Sequence, residues 1–176
     1  RNWGVPVAVA SSKNTGHLND GTPEVATSGN GVWCVVWGGR DIHLARSTNH
    51  GASWATPVRL NSTLDPQREN NEHPAIAASR AGTWMVAWDT AVDEAVRTSK
   101  VLGVRSTDNG ASWSPEMQLY SSPFESFSDG YPKLATDHAG GWMLSWTSII
   151  NVNSDTDSTS LYVRRSQDDA ASWRDA

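Results

Sequence analysis

Three groups of residues in this chain have types and spacings that could do chemistry. Tyr131 and Glu125 stand six residues apart in the polar stretch Ser121 to Tyr131. A phenol with a carboxylate beside it to take its proton is a nucleophile-and-base arrangement. The plain alternative is a tyrosine packed at the end of a strand. Arg68, Glu69, Glu72 and His73 make a charged loop, and Asp129 lies in the corresponding loop further along. These groups suit a polar ligand such as a neutral glycan, or they form an ordinary solvated rim. In Asn151-Val152-Asn153-Ser154-Asp155-Thr156-Asp157, oxygen-bearing side chains recur at every second residue, as they do in calcium loops. The segment lacks the glycine expected at its sixth position, and Tyr162 stands where an acidic twelfth residue belongs. A polar loop is therefore the default, and calcium at Asn153, Asp155 and Asp157 is the alternative. His73 and His138 have no histidine neighbours, and the single cysteine, Cys34, can form neither an intrachain disulfide nor a Cys-based zinc site. Cys34 sits in a run of apolar residues and is expected to be a buried, inert thiol. No resident metal or cofactor is expected.

The elements that must position these groups come from the rest of the chain. Its 176 residues make about one domain at roughly 150 residues each. The net charge of −5 argues against an electrostatically driven nucleic-acid or acidic-membrane partner. No apolar run approaches the roughly 18 residues of a spanning helix, so no membrane span is expected. Trp is unusually common, with 10 against 3 Tyr and 2 Phe. Ser, Thr, Asn, Asp and Gly separate short apolar runs, which is the pattern of an all-β chain.

The Trp residues mark an internal repeat. Ser47-Thr48-Asn49-His50-Gly51-Ala52-Ser53-Trp54 aligns without gaps to Ser106-Thr107-Asp108-Asn109-Gly110-Ala111-Ser112-Trp113 and to Ser166-Gln167-Asp168-Asp169-Ala170-Ala171-Ser172-Trp173. An arginine precedes each copy: Arg46, Arg105 and Arg165. Ahead of each, a proline leads at constant offsets to a Trp pair: Pro23 to Trp33 and Trp37, Pro74 to Trp84 and Trp88, Pro132 to Trp142 and Trp146. The paired Trp are four apart, so both lie on one face of a strand. Each unit reads as four strands. The first follows the proline, the second carries the Trp pair, the third runs into the octapeptide and the fourth leaves it. Units of this length, with four strands and a repeated Trp signature, are propeller blades. The predicted extents are 22–60, 73–120 and 131–176.

The octapeptides resemble the Asp box, Ser-x-Asp-x-Gly-x-Thr-Trp, of the BNR repeat family, best known from sialidases and related β-propellers. The resemblance covers most of the chain and implies that Ser47, Asn49, Gly51, Trp54, Ser106, Asp108, Gly110, Trp113, Ser166, Asp168 and Trp173 are structural, on an outer turn away from any active face. Asn49 departs from the aspartate but remains an acceptor. Ala170 departs from the glycine, at a cost if that position needs a positive φ. Sialidases of this family hold a carboxylate substrate with three arginines and use an aspartate acid/base with a Tyr–Glu nucleophile. The resemblance of Trp37-Gly38-Gly39-Arg40-Asp41-Ile42 to the family segment after the second strand implies a substrate-side Arg40 and an acid/base Asp41, with Tyr131 and Glu125 as nucleophile and helper. The family's Arg-Ile-Pro signature is absent: Asp20-Gly21-Thr22-Pro23 and Glu72-His73-Pro74 lack the arginine.

Residues 1–10 align with the end of an octapeptide and a fourth strand, whereas the third unit stops short of one. The expectation is three blades, half of a six-bladed ring, closed by a second copy whose first strand completes the third blade. A piece of a longer chain and an open half-ring are the alternatives. A start at Arg1 suits a processed secretory chain or a trimmed piece, so an extracytoplasmic location is expected. The expected function is a carbohydrate- or protein-binding module. A sialidase-type hydrolase, or part of one, is the alternative, and a purely structural assembly domain is a third reading.

Overall fold

The structure is a computed structural model that describes residues 5–10, 21–62, 71–93, 98–121, 127–151 and 157–175. The described residues form three four-stranded antiparallel sheets, each built from strands consecutive in sequence. The first comprises β1 (Gly21–Gly29), β2 (Val32–Gly38), β3 (His43–Ser47) and β4 (Val58–Arg59). The second comprises β5 (Asn71–Ala78), β6 (Trp84–Asp93), β7 (Thr98–Ser106) and β8 (Met117–Ser121). The third comprises β9 (Phe127–Thr136), β10 (Trp142–Asn151), β11 (Asp157–Ser166) and β12 (Arg174–Asp175). These are the blades of a half-propeller. Among the described residues, no helix is long and apolar enough to cross a membrane.

The alternation along each second strand sorts its side chains between neighbours. Trp84, Val86 and Trp88 face the first blade, where they meet Cys34, Val36, Ile42 and Leu44. Met85 and Ala87, on the opposite face, meet Trp142, Leu144 and Trp146 of the third blade. The middle blade is thus buried on both sides, which is why β6 is apolar at successive positions rather than alternating. Cys34 is fully buried, and burial pushes its thiol up to about 12, so it is inert as expected.

Two expectations need correction. Each first strand starts before its proline, not after it, so the sheets extend over 21–59, 71–121 and 127–175. A proline has no N–H to give the ladder, and pairing with the second strand slips there: between Gly21 and Glu24, between Glu72 and Ala75, and where Lys133 and Gly130 face Ser145 and Thr147. The third blade also carries the start of an outer strand, because Arg174 and Asp175 pair with Arg165 and Arg164. Among the described residues, residues 5–10 belong to no sheet, and Val5 and Val7 are exposed.

The octapeptide turns are held by their own side chains. The Ser106 hydroxyl accepts from the Gly110 amide at 2.9 Å, while Asp108 accepts from the Ala111 and Ser112 amides at 3.1 and 2.9 Å. Asp168 accepts from Ser172 N–H at 2.9 Å, and Asn49 from Ser53 N–H at 2.9 Å. The fifth residue takes positive φ in every copy: 81° at Gly51, 73° at Gly110 and 63° at Ala170. Ala170 therefore stands in a conformation that costs an L-residue roughly 1–2 kcal/mol, offset in part by the burial of its methyl in the core.

These bonds set an acid limit. Hydrogen bonds from Ser112 and Ser106 hold the Asp108 carboxyl down at about 2, and bonds from Ser172 and Ser166 lower Asp168 in the same way. A carboxylate held below its unfolded value of about 3.9 gives stability that is present above that pH and lost as pH falls through the folded value. The melting temperature is expected to drop as pH falls from about 4 towards 2. In a chain carrying Asp108→Asn and Asp168→Asn, thermal melts across the same range should show a shallower slope. An unchanged slope would mean that other carboxyls govern acid unfolding.

Candidate functional site

The open ends of the first strands carry the chemistry. At the step before each proline, Thr22, His73 and Tyr131 have φ of 47°, 47° and 56°. A residue before proline ordinarily adopts extended backbone, and positive φ costs a non-glycine residue of order 1–3 kcal/mol. The bulge imposes this strain in all three blades, but only the second and third blades place ring side chains there. The His73 and Tyr131 rings lie 4.0 Å apart between centroids, tilted by 37°.

Asp89 ties these two residues together. Its carboxylate meets His73 Nδ1 at 3.1 and 3.3 Å and accepts from the Tyr131 backbone N–H at 3.2 Å. Gly130 packs beside it, close enough that a Cβ there would lie in ordinary van der Waals contact with the Asp89 carboxyl group at 3.5 Å. Burial raises the Asp89 carboxyl above its ordinary value, and the neighbouring His73 partly offsets this. Tyr131 is 57% exposed. The arrangement is an open aromatic face on an imidazole, with a half-buried carboxylate fixing both. It can stack on an apolar ring face and offer polar groups at the edge.

Sequence reasoning singled out His73 and Tyr131 but missed Asp89. The signal was present: only in the second blade does a carboxylate follow the second Trp, where the other blades have Gly38 and Thr147. Asn71 was also missed. It is buried three residues before Pro74, accepts from the Trp88 indole N–H at 3.0 Å and donates to the Arg40 carbonyl at 2.9 Å. Asp129 holds the same place before Pro132 and is fully buried, its carbonyl accepting from the Ser99 hydroxyl at 2.6 Å. Asp129 is thus an internal group and not a rim ligand as expected.

The remaining candidates are not gathered here. Asp41 accepts from Asn61 Nδ2 at 2.9 Å and lies 3.8 Å from the Arg59 guanidinium, so it belongs to a polar knot that closes the outer strands of the first blade. Arg40 is exposed and tied through its backbone to Asn71. Glu72 is exposed beside His73. Arg68, Glu125 and residues 152–156 of the calcium-like segment, Asn153 and Asp155 among them, lie outside the described residues, and only the backbone of Asn151 and Asp157 is described. Among the described residues, no group of three His, Cys, Asp or Glu side chains is placed to hold a metal ion.

No family model matches the chain, and no curated protein matches it. Solved structures do match in fold. An alpha-L-arabinanase of Penicillium chrysogenum, complexed with arabinobiose, is similar over 82% of this chain and 44% of its own, with 18% identity and a TM-score of 0.58. An alpha-L-arabinofuranosidase of Fusarium graminearum is similar over 87% of this chain and 49% of its own, with 15% identity and a TM-score of 0.58. A sialidase of Trypanosoma rangeli is similar over 88% of this chain and 29% of its own, with 15% identity and a TM-score of 0.55. The chain thus spans less than half the length of each of these proteins, and at these identities the likeness is one of fold: the three sheets are blades of a β-propeller.

Proposed function

We propose that the chain is an Asp-box propeller module that binds carbohydrate on the face holding His73, Asp89 and Tyr131, as half of a six-bladed ring working outside the cytoplasm. The observation that carries the reading is the exposed Tyr131 ring, held against His73 and anchored by Asp89 through its backbone. An aromatic face with a small set of fixed polar groups suits a sugar, which presents C–H groups on one face and hydroxyls at its rim. The fold likeness to glycan-processing propellers, one of them complexed with arabinobiose, supports this ligand class.

Retention on arabino-oligosaccharide and sialoside affinity supports, followed by titration calorimetry, tests it. Tyr131→Ala is expected to weaken binding by about tenfold or more, as loss of a central aromatic anchor does. No retention on any glycan, or retention indifferent to Tyr131→Ala, would sink the reading.

The hydrolase reading draws on the same groups, since an exposed phenol beside a His–Asp pair could supply acid/base chemistry. Fluorogenic arabinofuranosides and sialosides separate the two: turnover abolished by Tyr131→Phe would favour hydrolysis over simple binding.

A further inference from the structure

The second and third blades meet at Tyr131, and the middle blade brings an unusual charge to that meeting. In every blade the ladder between the first two strands sets one cross-strand pair just ahead of the proline bulge. The pair is Gly21 with Gly38 in the first blade, Glu72 with Asp89 in the second and Gly130 with Thr147 in the third. Of the three, the middle pair carries charge, and both members are carboxylates. Residues directly opposite on an antiparallel ladder share a face, with Cβ atoms about 4.5–5.5 Å apart, and like charges there destabilise the sheet. Asp89 registers this: burial raises its carboxyl most, His73 and the Tyr131 amide lower it, and Glu72 raises it again.

Several cations that could have balanced the pair are engaged elsewhere. Lys133, two residues past Tyr131, pairs with Glu24 of the first blade at 2.9 Å, and the Arg59 guanidinium lies 3.8 Å from Asp41. Arg164 donates to the Leu119 and Trp173 carbonyls at 2.6 and 3.2 Å. The charged groups that act on Asp89 are His73 and Glu72. With the imidazole neutral, His73, Glu72 and Asp89 together carry two negative charges. With it protonated, they still carry one.

The two carboxylates are not equally available to a ligand. Both Asp89 oxygens meet His73 Nδ1, and Oδ1 also accepts from the Tyr131 amide, so Asp89 is occupied in holding the rings. Glu72 is exposed and can accept from a sugar hydroxyl, a charge-assisted bond. A ligand carboxylate in the same place would lose water against one half-buried and one exposed carboxylate, with no guanidinium fork to receive it among the groups that act on Asp89. An ammonium would gain little, because Asp89 is already engaged and an ion pair to an exposed glutamate contributes little.

From this we infer that the His73–Tyr131 face takes uncharged oligosaccharides and rejects acidic ones, with Glu72 as the residue that sets the choice. This selectivity presupposes that the face binds glycan at all, as proposed above, and narrows the ligand class by its charge.

Titration calorimetry with matched sugars tests it: lactose against sialyllactose, galactotriose against trigalacturonate, and arabinotriose as a further neutral ligand. At low salt each acidic sugar is expected to bind about tenfold or more weaker than the tightest neutral one. The gap should narrow as ionic strength rises from about 0.01 to about 1 M, because Glu72 is exposed and its field is screened. Glu72→Gln is expected to lower the ratio of acidic to neutral dissociation constants by about threefold, and Glu72→Lys by about tenfold, with thermal melts to show that both fold. An acidic sugar that binds as tightly as its neutral mate overturns the inference and leaves the glycan reading standing. So does a glucosamine trimer with free amines that binds more tightly than every neutral sugar, or a folded Glu72→Lys variant with the wild-type ratio. Absence of binding by all of these sugars sinks the glycan reading and this selectivity with it.

Discussion

Replacing Trp88 with alanine should unfold more of this protein's stability than any other single truncation, by about 3–5 kcal/mol, the usual cost of emptying a buried Trp site. Trp88 has no exposed surface and packs in the core shared by the first two blades. Its indole N–H donates to Asn71 at 3.0 Å, and Asn71 in turn donates to the Arg40 carbonyl. The truncation thus opens a cavity and strips a partner from a buried amide, two costs that add in the same direction. Trp88→Phe is intermediate: it keeps a six-membered ring, loses the N–H and leaves a smaller void, so its cost should be about 1–3 kcal/mol. Trp54, on the half-exposed outer turn of the first blade, is the control, and Trp54→Ala should cost less than half as much as Trp88→Ala. Urea unfolding of the three variants gives the order. A Trp54→Ala variant as damaged as Trp88→Ala would mean that the octapeptide turns, not the interblade faces, hold the fold.

That ordering also shows what the residues alone could reveal. The Trp pairs and octapeptides were legible because repetition multiplies a weak local signal: the spacing of Trp33 and Trp37 recurs in Trp84 and Trp88 and again in Trp142 and Trp146. The strand starts were not legible, because a proline within a strand is disfavoured and only the paired structure shows the bulge that tolerates it. The candidate site was half legible. Tyr131 and His73 stood out by type, but what joins them is the positive φ at both positions and a carboxylate from another strand, and neither follows from local sequence. Asp41 and Asp129 show the reverse error. Each is acidic and loop-adjacent, yet Asn61 and Arg59 engage the first, and the fold buries the second.

Asp89 offers the sharpest test of how the site works. Asp89→Ala removes the acceptor of the Tyr131 N–H and the partner of His73 Nδ1, so both rings lose their anchor. Glycan binding is expected to fall by about tenfold or more, the equivalent of 1.4 kcal/mol, as it does for Tyr131→Ala. Asp89→Asn keeps an acceptor for the amide and a polar partner for the imidazole, and binding should stay within about threefold of the wild type, a difference below 1 kcal/mol. Both variants also remove a titrating carboxyl. Because burial raises the Asp89 carboxyl, the native state holds that proton more tightly than the unfolded chain does. The stability it contributes is full below the unfolded value of about 3.9 and is lost as pH rises through the folded value. Asp89→Asn abolishes this loss, so its stability relative to wild type should improve as pH rises through that window, opposite in sign to the effect of the octapeptide aspartates. If Asp89 were instead a proton-transfer group in a hydrolase, Asp89→Asn would keep ligand binding and lose about 10²–10⁴ in turnover. Calorimetric binding that survives in Asp89→Ala would rule out an anchoring role, because nothing else observed at the site holds Tyr131 and His73 together through one group.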